Sequence, residues 1–216
     1  MTAAPPLYGP RQSRFARYLE RREQRRPDAV AEELRRGLLA GLRGRVIEVG
    51  CGEGRAFEHY GPGVDHVLAV EPDPTARAAA AERARHTAVP IEVADGVAEA
   101  LPAADGAFDA AVVVWVLCSV DDPAAAVQEL RRVLVPGGEL RFYEHVSSEN
   151  VVFRGVQRAV DALFWTRALG GCRTTRDTVA ELRAAGFRID PLERGFHSSS
   201  VLTITSAPYV LGVARR

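Results

Sequence analysis

Three groups of residues in this chain have the types and spacing to form a site. The first is Gly50, Gly52 and Gly54, at every second position behind the apolar stretch Val46-Ile47-Glu48-Val49. Glycine has no Cβ, so such a turn can take positive φ and let a ligand lie against bare backbone. The second is a pair of carboxylates. Glu48 stands two residues before the first glycine, and Glu71 follows the last by 17, behind the apolar run His66-Val67-Leu68-Ala69-Val70. A carboxylate closing a second strand can accept hydrogen bonds from the two hydroxyls of a ribose. It can equally open a helix, because Pro72-Asp73-Pro74 follows. The third is His145, preceded by Glu144 at the end of another apolar run. An imidazole titrates near neutral pH and suits a general base; a histidine satisfied by a neighbouring loop is the alternative.

These residues need a frame that gathers strand ends. Val46 to Val49 reads as a buried parallel strand. A short helix from Arg55 to Tyr60 follows, stopped by Gly61-Pro62-Gly63, and its first N–H groups would face whatever lies on the loop. The second strand spans His66 to Val70, with a helix over 75–85 and a third strand over 90–94. Phe108 to Trp115 is apolar on both faces and therefore central. Asp122-Pro123 caps a helix that stops at Pro136-Gly137-Gly138, and strand five runs from Glu139 to Tyr143. Ahead of the first strand, helices are expected over 13–24 and 27–42, the latter with apolar Val30, Leu34, Leu38 and Leu39. Behind Ser147-Ser148 the alternation breaks with a bulky helix over 151–169. A helix over 178–185, a strand over 187–192 and a last strand over 209–214 complete the chain.

With 216 residues the chain suits one domain with a full core. All 28 cationic residues are arginine, balanced by 28 acids, so no electrostatic case for nucleic acid exists. Cys51, Cys118 and Cys172 lie far apart with no paired spacing, which argues against a disulfide framework or a metal site. Cys118 and Cys172 are therefore read as packing residues, and a reduced, cytoplasmic setting is the default expectation. The longest apolar run, Ala110 to Val120, is too short to span a bilayer, and the N-terminus has no signal-peptide pattern.

Glu-x-Gly-x-Gly-x-Gly is not the dinucleotide-binding pattern, because its third glycine comes one residue early. Taken with Glu71, Ala98-Glu99-Ala100-Leu101-Pro102 and Arg132-Val133-Leu134-Val135-Pro136-Gly137-Gly138, it resembles the class I S-adenosylmethionine (SAM)-dependent methyltransferases of the ubiquinone/menaquinone-biosynthesis type, over about residues 44–145. Four further segments resemble the methyltransferase-like protein 7 group, which is associated with methylating small thiols. They are Leu117-Cys118-Ser119-Val120, Phe142-Tyr143-Glu144-His145-Val146, Gly171-Cys172 with Thr175-Arg176-Asp177, and Pro208 to Arg215.

The resemblance implies an α/β fold: a Rossmann-like, doubly wound, seven-stranded sheet, mostly parallel, with the last strand antiparallel. Residues 1–43 would be helices covering the cofactor and acceptor site. Residues 44–216 would be the SAM-binding domain, with an acceptor-pocket insertion at about 147–175. The cofactor would be SAM, leaving S-adenosylhomocysteine. Glu48, Gly50, Cys51, Gly52 and Gly54 would pack on its methionine part; Glu71 and Pro72 would meet the ribose. Gly96, Val97 and Ala98 would meet adenine. Many relatives carry Asp where this chain has Val97, so the side-chain contact is either missing or supplied by Asp95. Trp115 and Leu117 would touch the cofactor or the acceptor, and His145 would be the catalytic base. Arg173 and Arg176 are candidates for an anionic acceptor, and His197 is a lower-ranked pocket candidate. The acceptor would be a small molecule: a thiol on the narrower resemblance, a phenolic or quinol-like O- or C-acceptor otherwise. A SAM-binding protein without catalysis is a reading of another class; a nicotinamide oxidoreductase is disfavoured by the glycine spacing. No nucleic-acid or membrane partner is expected, and the oligomeric state is open.

Overall fold

Strands that are apolar on both faces must be covered from both sides. In the computed structural model, which describes residues 28–166, 171–198 and 201–216, alternate residues of each central strand feed two separate cores. Ile47, Val49, Leu68, Val70, Ala111 and Val113 pack on one face, against α3 (Pro123–Val133) and α5 (Thr178–Ala184). Val46, Val67, Ala69, Ala110 and Val112 pack on the other, towards α1 (Ala29–Leu39) and α2 (Pro74–Ala84). The strands are β1 (Gly44–Val49), β2 (Val64–Val70), β3 (Ile91–Ala94), β4 (Phe108–Val114), β5 (Leu134–His145), β6 (Arg188–Phe196) and β7 (Pro208–Arg215). They form one sheet in the order β3-β2-β1-β4-β5-β7-β6. The pairs among β1 to β5 are parallel, and β7 is antiparallel to β5 and β6. This is the expected doubly wound sheet.

The helices start where short polar side chains can cap them. Asp28, Asp73, Asp122, Asn150 and Asp177 each accept backbone N–H groups at the first turn of α1, α2, α3, α4 (Val151–Val160) and α5. Three expectations change. The buried face of α1 is Ala31, Arg35, Leu38 and Leu39, while Val30 is exposed; a cation shares the apolar stripe. The helix expected after the glycine turn is only a 3₁₀ turn, Phe57–His59, so no helix dipole points at the loop. Strand β5 begins at Leu134, upstream of the Pro136-Gly137-Gly138 turn, which becomes an irregularity in its pairing with β4. The helix expected over 13–24 lies outside the described residues. α4 runs into a π-helical turn, Asp161–Trp165, and residues 167–169 of the helix expected over 151–169 also lie outside the described residues.

Candidate functional site

The carboxyl ends of β1, β2, β4 and β5 meet along one edge. Val70, the last residue of β2, accepts the N–H groups of Gly50 (2.8 Å) and Cys51 (3.2 Å), which folds the glycine turn back over the strand ends. The three glycines all have positive φ, but their surroundings differ. A Cβ on Gly50 would lie 2.5 Å from Val116, and one on Gly54 would lie 2.5 Å from the Phe57 ring. A Cβ on Gly52 would meet no heavy atom within 4 Å. The outer two are therefore required by packing, and Gly52 is the one that faces open room.

Glu48 and Glu71 brace this turn from below. Glu48 is buried and accepts the Tyr60 hydroxyl at 2.8 Å. Burial pushes its carboxyl up to about 7, against the pull of Tyr60 and of the Arg35 charge. Glu71 accepts the Gly52 N–H on one oxygen and the Asp73 N–H on the other, both at 2.9 Å, so it ties β2 to the turn. Burial raises its pKa too, against those two backbone donors. Cys51 is buried, and burial, then the Glu48 and Glu71 charges, push its thiol far above the ordinary range. Pro72 is half-buried beside Glu71, and its carbonyl accepts from Arg77 at 3.0 Å. Asp95 is exposed and ion-paired to the same Arg77 at 3.0 Å. Gly96 is closely packed, since a Cβ there would lie 2.9 Å from both Val70 and Pro102. Val97 is half-buried and bridges to Ala100, and the Ala98 side chain sits in the core.

Beyond β4 the chain turns sharply. Trp115 is the one non-glycine residue with positive φ (57°) among the described residues, a costly conformation for a bulky side chain. Its N–H donates to the Tyr143 carbonyl at 2.8 Å, and its ring stacks on His145 (centroids 5.3 Å apart, planes 7° apart). The indole N–H is buried and has no hydrogen-bond partner among the described residues. The Arg35 guanidinium lies 5.8 Å over the same ring. Leu117 departs from expectation, because its side chain is 1 % exposed and belongs to the core. What holds this turn is Glu144, fully buried, which accepts from the N–H groups of Val116, Leu117 and Cys118 at 2.9, 3.0 and 3.0 Å. Burial raises its pKa, and the three donors oppose that rise.

The insertion closes the other side. Gln157 is fully buried; its amide donates to the carbonyls of Val146, Thr174 and Thr205, and its oxygen accepts from Ser148 N–H. Asp161 accepts from both the N–H and the hydroxyl of Thr174 and Thr175. The segment behind it is laid along the β4 turn. Arg173 N–H donates to the Cys118 carbonyl at 2.8 Å, and a Cβ on Gly171 (φ 100°) would lie 2.7 Å from the Ser119 carbonyl oxygen. This approach sets Cys172 beside Cys118, with 3.8 Å between sulfurs, and both sulfurs 3.7 Å from His145 Nδ1. Trp165 packs against both cysteines. The Cys172 sulfur and burial hold the Cys118 thiol well above the ordinary range. Arg176 donates to the Val120 carbonyl and Arg173 is exposed. His197 is taken up by Asp28 at 2.7 Å, pinning the start of α1.

Sequence reasoning placed the glycine turn, Glu71, Trp115 and His145 at one edge, and the structure brings them there. It missed Arg35, whose signal was a charge at i+4 from Ala31 on the apolar stripe of α1. It also missed the meeting of Cys118, His145 and Cys172, for which 27-residue gaps in the chain give no local signal.

Comparisons with known proteins agree with this arrangement. Residues 47–142 match the methyltransferase domain family. The human thiol S-methyltransferase TMT1B is 34% identical over 182 residues, covering 82% of this chain and 73% of that protein. Among solved structures, a SAM-dependent methyltransferase from Thermotoga maritima, titled a possible histamine N-methyltransferase, superposes with a TM-score of 0.68 at 25% identity, covering 94% of this chain and 96% of that one. A putative methyltransferase from Bacillus halodurans shares the fold, with a TM-score of 0.71 at 18% identity over 87% and 99% of the two chains. The open face at Gly52 and the unpartnered Trp115 indole N–H fit a nucleoside cofactor lying along this edge. With its sheet order, glycine turn and these relatives, the chain belongs to the class I SAM-dependent methyltransferases, in the family that includes the TMT1 thiol S-methyltransferases.

Proposed function

We propose that this methyltransferase acts on a small-molecule thiol. The observation that carries the reading is the likeness to a thiol S-methyltransferase over 82% of the chain, which takes in the insertion as well as the cofactor half. When bound, SAM supplies a methyl group on a sulfonium. What the chain contributes is position and dryness. The bare backbone at Gly52 receives the methionine part. Glu71 keeps spare lone pairs after accepting one N–H on each oxygen, so it accepts ribose hydroxyls while still holding the turn. Arg35, a buried cation above Trp115, is set to meet the methionine carboxylate. With Asp95 committed to Arg77, adenine is met by backbone at Val97 and Ala98.

On the acceptor side, His145, at the end of β5 and stacked on Trp115, acts on the S–H proton; its position at the strand end supports this reading. Holding an acceptor in line with a donor can supply roughly 7–11 kcal/mol of the barrier. A thiol, with a pKa of about 8.5, then needs only modest help to ionise. Among the described residues no helix is long and apolar enough to cross a membrane, and we propose a cytoplasmic enzyme taking diffusible acceptors. The test is a mass-spectrometric screen with isotope-labelled SAM over thiols, phenols and quinol-like compounds. Methyl thioethers are the expected products. Labelling confined to phenols or quinols would move the reading to O- or C-methylation. Tight S-adenosylhomocysteine binding with no product would make the chain a cofactor-binding protein.

A further inference from the structure

Three of the four segments that carry the narrower resemblance (117–120, 142–146 and 171–177) converge on one point, where they present two sulfurs and an imidazole nitrogen. We propose that Cys118, Cys172 and His145 form a binding site for a single borderline-soft divalent cation, zinc, with a fourth position open to the acceptor sulfur. The second half of the proposal rests on the thiol-acceptor reading above; the first does not.

Geometry carries the argument. A tetrahedral zinc with Zn–S of about 2.3 Å and Zn–N of about 2.05 Å has an S···S edge of about 3.8 Å and S···N edges of about 3.6 Å. The observed edges are 3.8 Å between sulfurs and 3.7 Å from each sulfur to Nδ1. All three ligand atoms lie on one triangular face of the right size, without movement of the backbone. The ligand set, two thiolates and an imidazole, is one that zinc accepts, and a three-ligand site leaves a position for substrate.

The triangle is also held in place from behind. Cys118 is fixed at its N–H by Glu144 and at its carbonyl by Arg173 N–H, the residue next to Cys172. Gly171 permits the close approach of those two segments. The His145 ring is set by its stack on Trp115. Supports of this kind orient metal ligands and raise affinity. Cys118 and Cys172 are buried, and the half-buried His145 is the member reaching the edge where the strand ends open. An incoming thiol would displace a metal-bound water, form a sulfur–metal bond and give its proton to that departing water. No electron changes hands. On this arrangement His145 serves as a ligand in place of the proton-accepting role proposed above, and the proton ends in solvent.

The test uses the full chain, purified under reducing conditions without chelator. Metal content is read by inductively coupled plasma mass spectrometry, and zinc affinity by competition with a chromophoric chelator. One zinc per chain is expected. Cobalt(II) substitution should give the intense visible bands of a tetrahedral site and a thiolate charge-transfer band. The near-isosteric Cys172→Ser should lose affinity by more than the roughly 100-fold that loss of an outer-sphere partner can cost, and His145→Ala should do the same. Calorimetry with SAM controls for folding in each variant: normal SAM binding with lost metal supports the site. A chain that binds SAM but takes up neither metal, or a Cys172→Ser variant that holds zinc like the parent, overturns it. So does a thiol count showing Cys118 and Cys172 already joined as a disulfide in the metal-free chain. The open position is tested by adding 2-mercaptoethanol to the cobalt form. A shifted spectrum, absent with ethylene glycol, supports thiol coordination; an unchanged spectrum overturns that half alone. Failure of SAM to bind the parent chain would count against the methyltransferase reading and leave the metal measurements standing.

Discussion

Glu71 and Glu144 stand in matching places in the two halves of the site. Each carboxylate lies at the end of a strand and accepts backbone N–H from a turn that forms one wall of the edge, Glu71 from Gly52 (with Asp73 beside it) and Glu144 from Val116, Leu117 and Cys118. Their settings differ. Glu71 takes two donors, retains some exposure, and leaves lone pairs facing the turn with the open Gly52. Glu144 is fully buried and takes three donors from consecutive residues. On the cofactor side the carboxylate ties the glycine turn to β2 and, in the function proposed above, also takes the ribose. On the acceptor side the carboxylate is spent wholly on the turn at Val116, Leu117 and Cys118, next in sequence to His145. The first half leaves open room at Gly52; the second holds a turn with a non-glycine residue at positive φ, Trp115.

That contrast can be broken most sharply at Glu144. Glu144→Ala leaves three buried N–H groups without acceptors, at about 1–3 kcal/mol each. We expect a loss of at least about 3 kcal/mol in urea unfolding, and a variant as stable as the parent would remove Glu144 from its structural role. Next comes the glycine turn. Gly52→Val puts a branched side chain into the open room at a strained φ, and calorimetry should show SAM affinity down by about 100-fold, or 2.7 kcal/mol. Gly54→Ala, two residues away, should instead lower stability by about 1–3 kcal/mol through the Phe57 contact. If both variants acted alike, the division between packing glycines and a ligand-facing one would be wrong.

Gln157→Leu tests the acceptor half alone. It strips four backbone groups, in three segments, of a shared partner, so the insertion should loosen by about 1–3 kcal/mol. Faster amide exchange at 146–148 and 174–175, with SAM affinity unchanged, is the expected result. The smallest effect is that of pH on the ligand-free protein. The Glu48 pKa is raised from 4.5 to about 7 in the folded chain, so the folded state keeps a proton the unfolded chain has released. The folded state is therefore favoured in full below about pH 4.5, and this advantage declines as pH rises to about 7. Denaturation midpoints across that window should fall with pH in the parent and more shallowly in Glu48→Gln; equal slopes would show that Glu48 is not the group responsible.

The cofactor half was legible because its parts are local in sequence. A strand, a glycine turn and an acid one strand later follow from alternation and spacing. The ends of parallel neighbours must lie at one edge whatever the details of packing. Leu117 and Asp95 show where such reading stops. Position in the chain put Leu117 near the edge, but the turn at Trp115 rotates its side chain into the core. Asp95 stands close to the expected adenine contact, and the structure adds its ion pair with Arg77, which spacing gave no sign of.

Sequence alone determined an alternating α/β chain whose central strands are covered on both faces, because strands apolar on both sides must be buried from both sides; the seven-stranded, mostly parallel form came with the family resemblance, and the crossover order is seen in the structure. Tertiary structure decided which glycine faces open room, which carboxylate is fully buried, and that a cation on α1 lies over Trp115. It also decided that Cys118, His145 and Cys172 touch. Such contacts depend on how long loops pack against one another, and Gln157, Asp161 and Gly171 fix that packing through hydrogen bonds and close approaches spanning many residues of chain.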